Sequence, residues 1–187
     1  MIITEQKPLE EIEKNLESFN NLVIIGCAEC AAICQTGGSE QVKEMAEYLK
    51  EKGKNILATL MIDSPCDERI TKRDIKLIED EIKKADALLI MTCGLGCQSI
   101  GKVTGKKFVP ALNTLFYGRV ERLGRYYEDC CGCESCVLFE NDGKCPVVLR
   151  KVCQDCGRVL RYDSKYCDQC KSENLVQGEA RVLIVNK

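Results

Sequence analysis

Between Cys130 and Pro146 the chain reads Cys-Cys-Gly-Cys-Glu-Ser-Cys-Val-Leu-Phe-Glu-Asn-Asp-Gly-Lys-Cys-Pro. Cys130, Cys133 and Cys136 form a C-x2-C-x2-C triplet, and Cys145-Pro146 follows after eight residues. Such a triplet curls three thiolates around one face of a cubane, and a returning Cys-Pro closes the loop, as in [4Fe–4S] sites. The proline stops further helix. The bacterial ferredoxin run places only three residues before its Cys-Pro, and its last cysteine serves a second cluster. The fourth ligand therefore stays open at Cys145, and a zinc knot is the alternative occupant. Cys131 falls outside the spacing, as a free thiol or a substitute ligand.

A second pattern closes the chain. Cys153-x-x-Cys156 and Cys167-x-x-Cys170 are separated by ten residues, the spacing of a zinc ribbon. Val159-Leu160-Arg161-Tyr162 predicts a strand between the two knuckles, and Arg181–Val185 a last strand. With four thiolates and no open position, the site reads as structural rather than catalytic. A single rubredoxin-like iron is the alternative. Basic residues here are interleaved with Asp155, Asp163, Asp168 and Glu173, which gives no platform for nucleic acid.

The remaining cysteines lie in sequence of another kind. Leu22-Val23-Ile24-Ile25, Asn55–Ile62 and Ala87–Thr92 are short branched apolar runs, as in buried parallel strands. A weaker fourth runs over Lys107–Leu112. Helical patterns lie before and between them. The first starts at Pro8 and runs to about Ser18 with Leu9, Ile12 and Leu16 on one stripe. Another runs from Glu40 to Lys52 with Ser39 as N-cap and Val42, Met45, Ala46 and Leu49 inward. A third spans about Lys72 to Lys84 with Ile75, Leu77, Ile78 and Ile82. Alternating strands and helices imply a parallel sheet covered on both faces, of flavodoxin type.

In such a sheet the carboxyl ends of the strands meet at one edge. Cys27 follows the first strand, Cys66 the second and Cys93 the third. Cys30 and Cys34 share a helical face with Cys27. These five thiols suit a second [4Fe–4S] cluster, with Cys27, Cys30, Cys66 and Cys93 as the leading set and Cys34 in reserve. Cys34 and Cys97 also read as small buried hydrophobes. Gly94 and Gly96 follow Cys93. They suit a backbone that approaches the cluster and donates N–H bonds to its sulfurs. As a dinucleotide fingerprint the pair is incomplete.

The composition narrows the chemistry. The chain has 187 residues, 15 cysteines, no histidine and a net charge of −2. Without imidazole, metal ligands fall to thiolates, and most acid–base enzyme mechanisms lose their usual residue. The charge gives no electrostatic case for nucleic acid. The N-terminus lacks the apolar core of a secretory signal and no run is long enough to cross a bilayer, so the expected location is cytoplasmic. There a cysteine-rich chain holds metals rather than disulfides. The expected layout is α/β over 1–127, an iron–sulfur segment over 128–150, and a zinc ribbon with a terminal strand over 151–187.

Several segments together resemble a known family. They are Lys7-Pro8-Leu9-Glu10-Glu11-Ile12, Gly26-Cys27-x-x-Cys30-x-x-x-Cys34, Gly37-Gly38, Cys66-Asp67, Cys93-Gly94-x-Gly96-x-Gln98, Pro110-Ala111-Leu112-Asn113-Thr114-x-Phe116-x-Gly118, and the run from Cys130 to Pro146. In order, over residues 1 to about 150, they are similar to the small iron–sulfur (MetV-type) subunit of methylenetetrahydrofolate reductase. The tail departs, since the family continues with a Pro-Cys-Gly-Gly segment where this chain has paired C-x2-C knuckles. The resemblance implies an electron-transfer subunit that feeds a flavin-containing TIM-barrel partner from a donor such as ferredoxin. It implies one cluster on Cys130, Cys133, Cys136 and Cys145. The other would be drawn from Cys27, Cys30, Cys66 and Cys93, with Cys34 in exchange. It places Asn113-Thr114 near the first cluster or the partner. The one-carbon carrier is tetrahydrofolate or an archaeal analogue. The competing readings are a zinc-bearing α/β scaffold without redox function and a stand-alone flavin or nucleotide enzyme.

Overall fold

The computed structural model describes residues 1–143, 145, 148, 150–160, 164–178 and 180–185. Pro146, Arg161, Tyr162 and Asp163, which figure in the expectations above, lie outside the described residues. The chain forms two units, residues 2–115 and residues 116–187 with Met1.

The first unit runs β1 (Ile2–Gln6), α1 (Leu9–Asn15), β2 (Asn21–Cys27), α2 (Cys30–Ile33), α3 (Ser39–Glu51), β3 (Asn55–Ile62), α4 (Glu68–Ile75), α5 (Glu79–Lys84), β4 (Ala87–Met91), α6 (Gly94–Thr104) and β5 (Phe108–Pro110). It ends within β6 (Leu112–Arg122). Strands β3-β2-β4-β5 make a parallel sheet in that order. Successive side chains of a strand point to opposite faces. Leu22, Ile24, Leu89 and Met91 therefore meet Ile12 of α1, Leu16 at its end, and Val42, Met45 and Leu49 of α3. On the other face Val23, Ile25, Leu88 and Ile90 meet Ile75, Ile82 and Ile100 of α4, α5 and α6. Each such side chain contributes about 1.5–3 kcal/mol on burial. Both faces are closed by helices, and the unbroken apolar runs of β2 and β4 follow from that.

Three expected boundaries move. The N-cap of α3 is Gly38, with Ser39 already helical. The Gly38 N–H donates to Gln41 Oε1 at 3.2 Å. At the neighbouring Gly37, a Cβ would lie 1.9 Å from the Met91 carbonyl oxygen, so this turn has room only for glycine. The helix expected over Lys72–Lys84 is two helices, α4 and α5, joined by a 3-10 turn at Lys76–Ile78. It begins earlier because the Asp67 carboxylate accepts the Arg69 N–H at 2.9 Å and starts α4. The tight turn throws Leu77 outward, 76% exposed, rather than into the core. The expected strand Lys107–Leu112 ends at Pro110, and Leu112 opens a new antiparallel strand.

In the second unit β6 turns back at Leu123-Gly124 into β7 (Arg125–Cys130), which pairs with β11 (Val182–Ile184). Gly124 takes φ +80°, a backbone that favours glycine. The Glu128 carboxylate, on a residue 2% exposed, accepts from Arg150 at 2.8 Å and from Arg181 Nε and Nη2 at 2.8 Å each. Strands β8 (Lys151–Cys153), β9 (Val159–Leu160) and β10 (Leu175–Gln177) form a small antiparallel sheet in the order β10-β8-β9. No helix among the described residues is long and apolar enough to cross a membrane.

Candidate metal centre

Two knuckles build the most compact thiol group. β8 ends on Cys153, and the Gly157 N–H donates back to the Cys153 carbonyl at 2.8 Å, with Gly157 at φ +73°. That turn carries Cys156 toward the second knuckle. There the Lys171 N–H donates to the Cys167 carbonyl at 3.0 Å, with Lys171 at φ +64°. The four sulfurs of Cys153, Cys156, Cys167 and Cys170 all lie within 4.8 Å of one another. Cys153–Cys170 and Cys156–Cys167 are each 3.5 Å apart. Cys153 and Cys167 are buried with Leu160 and Leu175, while Cys156 and Cys170 are exposed.

The electrostatics of this group favour a cation. The Cys170 N–H, against the cost of burial, holds Cys167 down to about 7, with help from the Gln169 N–H. At Cys156 the Arg158 N–H pulls the same way. Burial and the three other sulfurs outweigh it and push that thiol up to about 12. One thiolate forms readily, and the next is opposed by its neighbours. A divalent ion at the centre removes that opposition and displaces the protons. Four sulfur donors with no open position suit a single tetrahedral ion such as zinc. Arg158 pairs with Asp168 at 2.6 Å and ties one knuckle to the other.

The five N-terminal candidates sit at different places in the first unit. Cys27 ends β2 and is buried. Burial pushes its thiol above the usual range; the Ala31 and Glu29 N–H groups act against this, and the neighbouring Cys30 and Cys93 sulfurs add to it. Cys30 opens α2, and Cys93 caps α6. The ends of β2 and β4 thus bring these thiols into one neighbourhood. Cys34, at the end of α2, is buried and points its Sγ to the Ile2 carbonyl at 3.8 Å. Burial raises it, and the Thr4 backbone N–H and hydroxyl lower it. Cys66 is exposed on the loop before α4. Cys97 packs in the core under α6, with Sγ 3.8 Å from the Thr92 carbonyl oxygen.

Gly94 and Gly96 have protein neighbours of their own. The Gly94 N–H donates to Thr114 Oγ1 at 2.8 Å, so the resemblance-marked Thr114 sits against the Cys93-Gly94 turn. A Cβ at Gly96 would lie 2.5 Å from Thr92 Oγ1 and 3.1 Å from Pro65, which makes glycine a packing requirement there.

In the second unit Cys130 ends β7, and Cys133, Cys136 and Cys145 follow in irregular chain. Gly132 at φ +65° and Glu134 at φ +69° wind the backbone around Cys133. The Gly132 N–H donates to Cys130 Sγ at 3.5 Å, the kind of bond that tunes a cluster thiolate. Burial pushes the Cys131 thiol up, and Cys133, Cys145 and Cys130 add to it in that order. Cys131 thus neighbours the Cys130, Cys133 and Cys145 sulfurs, and both of its readings, free thiol and substitute ligand, stay open.

Among the described residues, the C-terminal tetrad is the group of three or more cysteine, aspartate or glutamate ligands that gathers within 4.8 Å. A cubane holds its thiolates further apart than one ion does, so the iron–sulfur sets answer to a wider geometry. The Glu128–Arg150–Arg181 triad and the buried Ser99 hydroxyl had no signal in the sequence, since neither belongs to a spaced motif. Comparison with protein-family models, curated proteins and solved structures gives no match for this chain.

Proposed function

We propose that the chain is an electron-transfer subunit carrying two [4Fe–4S] clusters and one zinc. The gathering of Cys27, Cys30 and Cys93 from two strand ends carries this reading. Burial and mutual charge keep Cys27 from ionising alone, and a polynuclear iron centre is what stabilises several thiolates in so small a space. One cluster would take four of Cys27, Cys30, Cys34, Cys66 and Cys93. The other would take Cys130, Cys133, Cys136 and Cys145, with the Gly132 N–H bonded to one of its thiolates. Zinc would sit on Cys153, Cys156, Cys167 and Cys170, as a brace.

Taking the parallel strands in chain order, the sheet reads 2-1-3-4, which supports a flavodoxin-like arrangement. In that fold the carboxyl ends of the strands are where ligands bind. A bound cluster supplies one-electron transfer with no need for a proton-carrying residue, which suits a chain without histidine. Hydride chemistry would belong to a partner's flavin. Together with the motifs over residues 1–150, this leads to a partner of the methylenetetrahydrofolate reductase type, a flavin-bearing TIM barrel, in the reducing cytoplasm. Ferredoxin or another redox subunit would be the donor.

Visible spectroscopy with dithionite on anaerobically purified protein tests the relay. A brown protein that bleaches is expected, and it should capture a flavoprotein subunit that purified alone keeps its flavin. The compact tetrad favours a second reading, a zinc-bearing scaffold without redox function. A colourless protein under strict anaerobiosis would establish that reading instead.

A further inference from the structure

Strand β11 is the outer strand of its sheet. Its register with β7 sets Val182 opposite Tyr127, Leu183 opposite Tyr126 and Ile184 opposite Arg125, without a bulge. Among the described residues β7 is its only strand neighbour. Both ends of β11 are fixed. The Glu128 N–H donates to the Arg181 carbonyl at 2.8 Å, and the Val185 N–H to the Gly124 carbonyl at 2.8 Å. In an antiparallel ladder, bonded and non-bonded positions alternate. The backbone groups of Arg181, Leu183 and Val185 therefore turn toward β7. The N–H and C=O of Val182 and Ile184 turn outward, where no strand among the described residues meets them.

The side chains of this edge are the second observation. After Arg181 the strand reads Val182-Leu183-Ile184-Val185, four apolar residues in a row. Folded proteins blunt an open edge with lysine, proline or a bulge, and Val182–Val185 has none of these. Val182 is 47% exposed and Ile184 57%, on the face they share with Tyr127 and Arg125. The same two residues thus carry free backbone groups and bare branched side chains, as a strand does when its neighbour is another molecule.

We propose that β11 pairs antiparallel with the β11 of a second copy, about a two-fold axis at Leu183. In that register Val182 lies opposite Ile184 of the second copy, and Ile184 opposite its Val182. Both are hydrogen-bonded pairs, so every outward N–H of these residues finds a carbonyl. Sliding the strands by two residues would match only one of the two residues. On one face Val182 and Ile184 cover each other across the seam, and on the other Leu183 meets its own counterpart. Arg181 falls opposite Val185 of the second copy and is already neutralised by Glu128, so no like charges meet. A strand of another protein would satisfy the backbone groups equally, but the self-matching side chains and charges favour a second copy. The pairing consumes the open edge of each copy, so assembly stops at two. A seam this short makes a weak dimer. It does not depend on the relay, since β11 carries no cysteine.

The test follows anaerobically purified, metal-loaded protein by sedimentation velocity from about 1 μM to about 1 mM, the range of a weak complex. Amide exchange is read residue by residue at both ends of that range. A monomer–dimer equilibrium is expected. The Val182 and Ile184 amides should slow about tenfold or more at high concentration, whereas those of Leu183 and Val185 stay protected throughout. Val182→Pro removes an outward donor and leaves the ladder to β7 intact. It should weaken the dimer about tenfold or more, for two lost hydrogen bonds. Ile184→Lys keeps every backbone donor and should weaken it similarly, by placing a lysine on the seam. Zinc content and the Leu183 amide report whether each variant stays folded. A chain that remains monomeric at every concentration would overturn the pairing. A dimer that survives both substitutions would use another surface and overturn it too, as would species that keep growing beyond two.

Discussion

Burial alone would push the Glu128 carboxyl up. The side chain and backbone N–H of Arg181, and the charge of Arg150, more than offset that and hold it below the usual carboxylate range. A carboxylate lowered on folding stabilises the folded state above its unfolded pKa of about 4.3. That contribution is lost as pH falls through the lower folded value. Urea midpoints measured from pH 6 downward should therefore fall in acid, and Glu128→Gln should flatten that fall. At neutral pH the same variant should lose about 2–3 kcal/mol, because two guanidinium groups lose their charged acceptor. Glycines separate in the same manner. Gly37→Ala puts a methyl 1.9 Å from the Met91 carbonyl oxygen, whereas Gly53, at φ +81°, has nothing within 4 Å. Thermal denaturation should show a loss of about 3 kcal/mol or more at Gly37. At Gly53 the left-handed backbone alone should cost about 1 kcal/mol.

At the scale of elements, strands β2 and β4 were legible because burial on both faces writes an unbroken apolar run into the sequence. The knuckles were legible for a different reason: a fixed spacing encodes a turn, and the sulfurs of Cys153, Cys156, Cys167 and Cys170 meet as that spacing requires. The β6–β7 hairpin left no such trace. Its residues alternate only loosely, and Gly118 is dictated by the backbone opposite, where a Cβ would lie 2.1 Å from the Tyr127 carbonyl oxygen. The α4–α5 break was likewise hidden, since Leu77 continues an apolar pattern that the tight turn sends outward. In the small sheet the metal should govern the elements. Cys153→Ser or Cys167→Ser should abolish bound zinc and loosen β8, β9 and β10. Amide exchange should rise there, while the parallel sheet of β2, β3, β4 and β5 keeps its protection.

Across the whole molecule, 15 cysteines and no histidine leave metal–thiolate chemistry as the common thread. A scaffold and a relay use those thiols differently. A scaffold needs zinc alone, at the C-terminal tetrad and at the Cys130–Cys145 loop as a zinc knot. A relay also needs the thiols at the ends of β2 and β4 and those that follow β7 to be filled with iron. The iron and zinc content per chain of anaerobically purified protein separates the two most directly. About eight iron and one zinc are expected for two cubanes and a ribbon. Zinc without iron would contradict the relay and leave a zinc-braced α/β protein.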